Sequence, residues 1–232
     1  MLFYYGIDWT YLVLVMPAII FALIASAKVN STFNKYAKER TRSNISGYDS
    51  ARMILDRNGL GDVRIERISG NLTDHYDPRS KVIRLSDATY ASTSPAAVGV
   101  AAHEAGHAVQ HARAYTPIKI RSAIIPITNI GSILTMPLIL IGLLVTFQPL
   151  VNLGIAFFAL STLFQLVTLP VEFDASKRAM AALRESGRMY DDELTASRKV
   201  LTAAAMTYVA SLAVSLMQLL RLILIFGRRN DR

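Results

Sequence analysis

The chain has 232 residues, 52% of them hydrophobic, with 25 Lys and Arg against 17 Asp and Glu and no cysteine. The apolar residues are gathered in long uncharged blocks instead of amphipathic stripes, which excludes an ordinary soluble domain and reads as a membrane protein. Without cysteine there are no disulfides and no thiol metal ligands. The net charge of +8 reads as membrane topology and attraction to anionic lipid, since no nucleic-acid recognition motif accompanies it.

The first apolar block, Tyr11 to Ala27, is about long enough to cross a bilayer as helix. Ala25-Ser26-Ala27 has the small residues of a signal-peptide cleavage site. Met1 to Thr10, however, holds no Lys or Arg and instead carries Asp8 with Tyr4, Tyr5 and Trp9, an interfacial belt, so an uncleaved anchor over residues 1–27 is expected. Lys28, Lys35, Lys38, Arg40 and Arg42 follow directly, and basic flanks mark the cytoplasmic side.

Residues 28–122 then read as a small cytoplasmic α+β domain. A helix at Tyr48 to Arg57 closes on Asn58-Gly59. Val63 to Ile68 and Lys81 to Leu85 alternate apolar with polar, and with the turn chemistry of Asp77-Pro78-Arg79-Ser80 they predict an antiparallel pair of strands. One strand is expected to lie along the site cleft with an edge open to an extended peptide; a plain structural hairpin is the other reading. Ser94-Pro95 reads as an N-cap with proline at the first helical position, opening a helix over Ala96 to Gln110.

That helix carries His103-Glu104-Ala105-Gly106-His107. Two imidazoles one turn apart project from one face and can hold the same tetrahedral ion, with Glu104 beside its open position, so the segment reads as the core of a zinc hydrolase. The alternative is a helix with two buried structural histidines. A second and a third span are expected over Ala123 to Phe147 and Leu150 to Leu169, a hairpin within residues 123–170, and a fourth over Ala203 to Phe226 within residues 203–232, where Arg221 would snorkel toward the end near Arg228 and Arg229. Between them, residues 171–202 carry Lys177, Arg178, Arg184, Arg188, Arg198 and Lys199 and are expected on the cytoplasmic side, as an alanine-rich helix started by Pro170.

Two histidines leave the ion short of a third protein ligand. His75, His111, Glu172 and Asp174 are candidates, and Glu172 is preferred because the hairpin returns it to the membrane face of His107. His111 rises about 12 Å along the helix axis from His103, too far to share one ion with both histidines. Asp174 is expected to orient a ligand histidine. His75, Tyr76 and Arg178, in that order, are candidates to stabilise an oxyanion.

Three stretches, Thr73 to Pro78 with Lys81 to Ser86, Gly99 to Gln110, and Leu169 to Ala175, resemble the YugP-like neutral zinc metallopeptidases of bacterial membranes. More distantly the layout is similar to the HtpX-type membrane proteases. The resemblance implies peptide hydrolysis, Zn2+ as cofactor, and a site of His103, His107 and Glu172 with Glu104 as general base. Ser176 stands where the HtpX pattern has an aspartate, with Asp174 a candidate substitute. The expected fold is thus a mainly α membrane protein, a zincin-like cytoplasmic α+β domain with a metal helix and a short antiparallel sheet joined to about four transmembrane helices. The expected function is a multi-pass cell-membrane zinc endopeptidase whose site faces the cytoplasm, acting on membrane proteins or membrane-bound peptides. A non-catalytic membrane adaptor with a structural metal site is the rival, and a hydrolase of lipid amides a weaker third reading.

Overall fold

A computed structural model describes residues 3–4 and 7–226. Two short strands, β1 (Phe3–Tyr4) and β2 (Ile7–Asp8), pair antiparallel. They lead into helix α1 (Tyr11–Tyr36), whose first residues, Tyr11–Val15, are wound as π-helix. There follow α2 (Gly47–Arg57), β3 (Arg64–Ile68), β4 (His75–Asp77), β5 (Val82–Ser86), the single turn α3 (Asp87–Tyr90) and α4 (Pro95–Ala112). Three long helices complete the chain, α5 (Thr116–Leu144), α6 (Gln148–Glu185) and α7 (Asp191–Phe226).

Four helices, α1, α5, α6 and α7, are long and apolar enough to cross a membrane. Their apolar stretches fall in one compact unit made of residues 1–26, 120–169 and 207–232. Large apolar side chains face outward there, with Leu144 84% and Ile133 74% exposed, a surface that water would penalise and hydrocarbon does not. Arg221 does not depend on reaching the headgroups as the sequence suggested. Its Nε donates to Asp8 Oδ2 at 2.9 Å and its guanidinium lies over the Tyr11 ring, so the charge is neutralised inside the protein.

The second unit comprises residues 27–119 and 170–206. The amphipathic α2 begins with a capping box, in which Ser46 Oγ accepts from Asp49 N while the Asp49 carboxylate accepts from Ser46 N, and it closes through Gly59 at φ 70°. Its apolar face, Ala51, Ile54 and Leu55, packs with Ile83 and Leu85 of β5 and with Ala101, Ala102, Ala105 and Val109 of α4 in one core. Leu183 and Leu201, from α6 and α7, close the same core.

The sheet is mixed, with order β3-β5-β4, and this corrects the expected antiparallel pair. β3 runs parallel to β5, with Ile65 opposite Ile83, and the antiparallel partner of β5 is β4, with Tyr76 opposite Ile83. The turn chemistry at Asp77-Pro78-Arg79-Ser80 does reverse the chain, but between β4 and β5. Three residues are too few to display a period of two, so β4 was not apparent from sequence, and a chain that reverses at both ends of it leaves β3 and β5 pointing the same way.

Pro170 does not start a helix either. It lies inside α6, although it has no N–H to give the Leu166 carbonyl. The fully buried Val171, Ala175, Ala179 and Leu183 beyond it keep the helix continuous through tertiary packing.

Replacing Asp8 with Asn should lower the thermal unfolding midpoint in detergent, because it strands the Arg221 charge at a cost of about 1–3 kcal/mol. Combining it with Arg221→Leu should recover most of the loss, and additive losses in that pair of variants would show that the contact carries no coupling.

Candidate metal centre

The geometry of the site starts with the cap of α4. Ser94 Oγ accepts from Ala97 N at 3.2 Å and Pro95 occupies the first turn, so the helix begins where the sequence signals placed it and carries His103 and His107 on one face. The two rings meet edge to face with centroids 4.7 Å apart. Gly106, between them in sequence, has no side chain to keep α6 away: a Cβ there would lie 2.7 Å from the Ala175 carbonyl oxygen. That close approach sets Glu172, one turn before Ala175, against the histidines.

Glu172 Oε2 lies 3.3 Å from His103 Nε2 and 3.6 Å from His107 Nε2. Ligand bonds of 2.0–2.2 Å arranged tetrahedrally put donor atoms about 3.3–3.6 Å apart, so these two spacings match a zinc tetrahedron and the three residues fit the ion. These three form a group of metal-ligating side chains among the described residues, and Asp174, His75 and His111 stand outside it. The site is sheltered, with the Glu172 side chain 3% exposed and those of His103 and His107 15% and 12%. Glu104, the residue after the first histidine, is also buried.

Each ligand ring is held from behind. His107 Nδ1 faces Gln110 Oε1 at 3.0 Å, while Gln110 Nε2 donates to the Val171 carbonyl and to Asp174 Oδ2, both at 2.8 Å. Both partners of that amide nitrogen are acceptors, which fixes the amide orientation and makes His107 Nδ1 the protonated nitrogen. The lone pair on Nε2 is left free to bind metal. Arg178 Nε donates to the same Asp174 oxygen at 2.5 Å and stacks over Tyr115, which holds the carboxylate in place. His103 Nδ1 lies 3.1 Å from Ser176 Oγ.

Sequence reasoning expected Asp174 to orient a histidine and offered it as a replacement for the aspartate absent at 176. Ser176 touches His103 directly, and Asp174 acts on His107 through Gln110, to which the sequence assigned no role beyond the end of the helix. Its signal was present in the spacing: an amide three residues after a candidate ligand histidine lies one turn away, within reach of that ring. Of the proposed oxyanion partners, Arg178 is engaged by Asp174. Tyr76 stacks on His111 with centroids 5.6 Å apart, and its burial pushes the phenol pKa upward, so it stays a donor. His75 sits exposed on the outer strand β4, its Nδ1 2.9 Å from the Thr73 carbonyl.

Around His107, burial opposes the charged ring, but the hydrogen bond to Glu172 and the charges of Glu104 and Glu172 outweigh it and raise the pKa. The ion-free site thus favours the protonated ring more than water does, and a metal binding at Nε2 competes with that proton.

A helical membrane protein with a sheltered two-histidine, one-carboxylate centre and a glutamate after the first histidine is of the zinc peptidase class. Residues 11–227 match the family described as "putative neutral zinc metallopeptidase", and the chain belongs to that family. It is 44% identical over 221 residues, covering 95% of this chain and 98% of the relative, to a protein of Bacillus subtilis (strain 168) described as "putative membrane protease YugP". No solved structure matches the chain.

Gln110→Leu should keep the fold but weaken zinc binding about 10–100-fold, since it frees the His107 ring; competition with a chromogenic chelator measures this, and unchanged affinity would remove Gln110 from the site. Zinc binding near neutral pH should also release protons, seen as a calorimetric heat that varies with buffer ionisation enthalpy, and affinity should fall as the pH is lowered and His107 holds its proton more firmly.

Proposed function

We propose that the chain is a membrane-embedded zinc endopeptidase in which His103, His107 and Glu172 hold the ion and Glu104 is the general base. The observation that carries this reading is the pair of donor separations, 3.3 and 3.6 Å, with three protein ligands in place. Three ligands leave a fourth position for water or substrate, whereas a structural site closes it with another side chain, and a structural site has no use for a buried glutamate next to its first histidine. This weighs against the adaptor reading.

A zinc ion held by His103, His107 and Glu172 would supply Lewis acidity for a scissile carbonyl and would lower the pKa of a nearby water. The Glu104 carboxylate accepts a proton from the attacking water and returns it to the leaving amine. Gln110 and Ser176 keep the ligand rings aimed, and Asp174 with Arg178 keeps Gln110 in place. β4 is an outer strand of the sheet, so an extended peptide can add along it by main-chain hydrogen bonds. His75 on that strand is the proposed donor to the developing oxyanion, with Tyr76 the next choice.

The basic residues after the first span and between the third and fourth support a multi-pass protein with its site on the cytoplasmic face. Substrates are then membrane proteins or unfolded chains at the bilayer surface, cut in their exposed segments.

The test is cleavage of a generic unfolded protein by the full chain in detergent. Cleavage should stop with a chelator and return with zinc, and Glu104→Gln should reduce it by about 10²–10⁴-fold while zinc content stays at one per chain. A Glu104→Gln protein with full activity would overturn the assignment.

A further inference from the structure

Within the unit of residues 27–119 and 170–206, a pocket of about 440 Å³ opens between the last third of α6 and the first half of α7. Phe173, Met180, Leu201 and Met206 give it apolar walls, three cations, Lys177, Arg184 and Arg198, stand in its lining, and no described Asp or Glu joins them. Elsewhere in the same unit Arg42, Arg67, Lys81 and Arg178 each hold a carboxylate at 2.5–2.7 Å. The three pocket cations are exposed and have no such partner among the described residues. The polarity of the pocket is graded along both helices. Phe173 and Arg184 are separated by about 16 Å of rise on α6, and Met206 and Arg198 by about 12 Å on α7. On each helix the apolar residue lies toward the uncharged stretch, residues 148–171 of α6 and 200–220 of α7, and the arginine lies away from it.

We propose that this pocket binds one anionic phospholipid, with an acyl chain against Phe173, Met180, Leu201 and Met206 and the phosphate held by Lys177, Arg184 and Arg198. A small anion would leave the apolar walls wet, and an uncharged apolar ligand would leave three cations unanswered. The fitting ligand therefore has a long apolar part and an anionic group at one end. Direction then favours a lipid. The apolar end of the pocket continues, along α6 and α7, into the stretches apolar enough to lie in hydrocarbon, and the cations follow on the polar side, which is the order in which a bilayer presents chain and headgroup. Basic pockets beside membrane-spanning helices take acidic headgroups, and the arginine and lysine stems add apolar surface below their charges. Such a site differs from the diffuse attraction of a +8 chain to anionic lipid in depending on these three residues and not on any three. Ser176, whose hydroxyl faces His103, also lines the pocket, so an acidic substrate segment is the competing occupant. Lipid binding here is independent of whether the chain hydrolyses peptides.

The test counts lipids bound to the full chain in detergent by native mass spectrometry, with dioleoyl phosphatidylglycerol or dioleoyl phosphatidylcholine added. The first phosphatidylglycerol should bind about tenfold more tightly than the first phosphatidylcholine. Lys177→Gln with Arg184→Gln and Arg198→Gln should remove that difference. Lys28→Gln with Lys35→Gln and Lys38→Gln, which takes the same charge from the end of α1, should leave it in place. All six side chains are exposed, so neither triple variant should lower the thermal midpoint. Equal loss in the two triple variants would overturn the proposal in favour of diffuse attraction, and no preference in the unaltered chain would overturn it outright. Glycerol 3-phosphate binding as tightly as the lipid would overturn it in favour of a small-anion site. A soluble peptide of Glu and Leu that binds more tightly than the lipid, and loses this with the pocket variant, would overturn it in favour of a substrate site.

Discussion

The contact on which the site depends is backbone against backbone, where α6 passes α4 at Gly106 and Ala175. Helices with ordinary side chains at the crossing stand 8–10 Å apart axis to axis, and at that distance a one-turn offset would leave the Glu172 carboxylate short of the imidazoles. The absence of a Cβ at 106 removes the spacer, and Ala175 opposite it is fully buried. Ala101, Ala102, Ala105 and Ala108 of the same helix are buried in the core, small side chains that let its other neighbours pack close. The glycine of the motif thus sets how closely the three candidate ligands come together.

Close packing creates a second requirement. Glu172 is nearly inaccessible, and a buried carboxylate between two imidazoles is tolerable only when every polar atom around it is paired. The chain from Arg178 to Asp174 to Gln110 to His107 meets this with one cation, one anion and one amide, and the Val171 carbonyl uses the remaining donor of that amide. All of these partners except Gln110 lie on α6, the same helix as Glu172. One helix thus supplies a ligand and most of the groups that hold the opposing ligands, and a rotation of α6 would disturb all of them together.

Local signals carried much of this in the sequence. Ser94-Pro95, the Asn58-Gly59 stop and the His103 to His107 spacing each depend on residues within one or two turns of each other, and helix ends and ligand faces follow from them. Glu172 was also legible, because a hairpin of two apolar spans limits where the chain can return. The strand direction was not: alternation marks a strand without marking which way it runs, and the three residues of β4 are too short to alternate. Continuity through Pro170 was hidden for a different reason. The cost of its missing hydrogen bond is local, while the burial of Val171, Ala175, Ala179 and Leu183 that offsets it depends on α4 and on the core around it. Ser176 was hidden because a resemblance sets an expectation about one residue type at one place, and Gln110 because its partners Val171 and Asp174 lie more than sixty residues away in sequence.

The apolar helices follow the rule of paired polarity by two routes, set by side-chain length. The hydroxyls of Thr128, Thr135, Thr162 and Thr168 each reach back one turn to a carbonyl of their own helix, at 2.8–3.1 Å, so they need no neighbour. Longer groups cannot fold back in this way and take a partner from another element, as Arg221 takes Asp8. A glutamine carbonyl is in the second class: it is too far from its own helix to bond there and, being an acceptor, it gains nothing from the carbonyls around it. Gln165 and Gln218 are thus among the described positions of these helices where a buried acceptor is left without a partner.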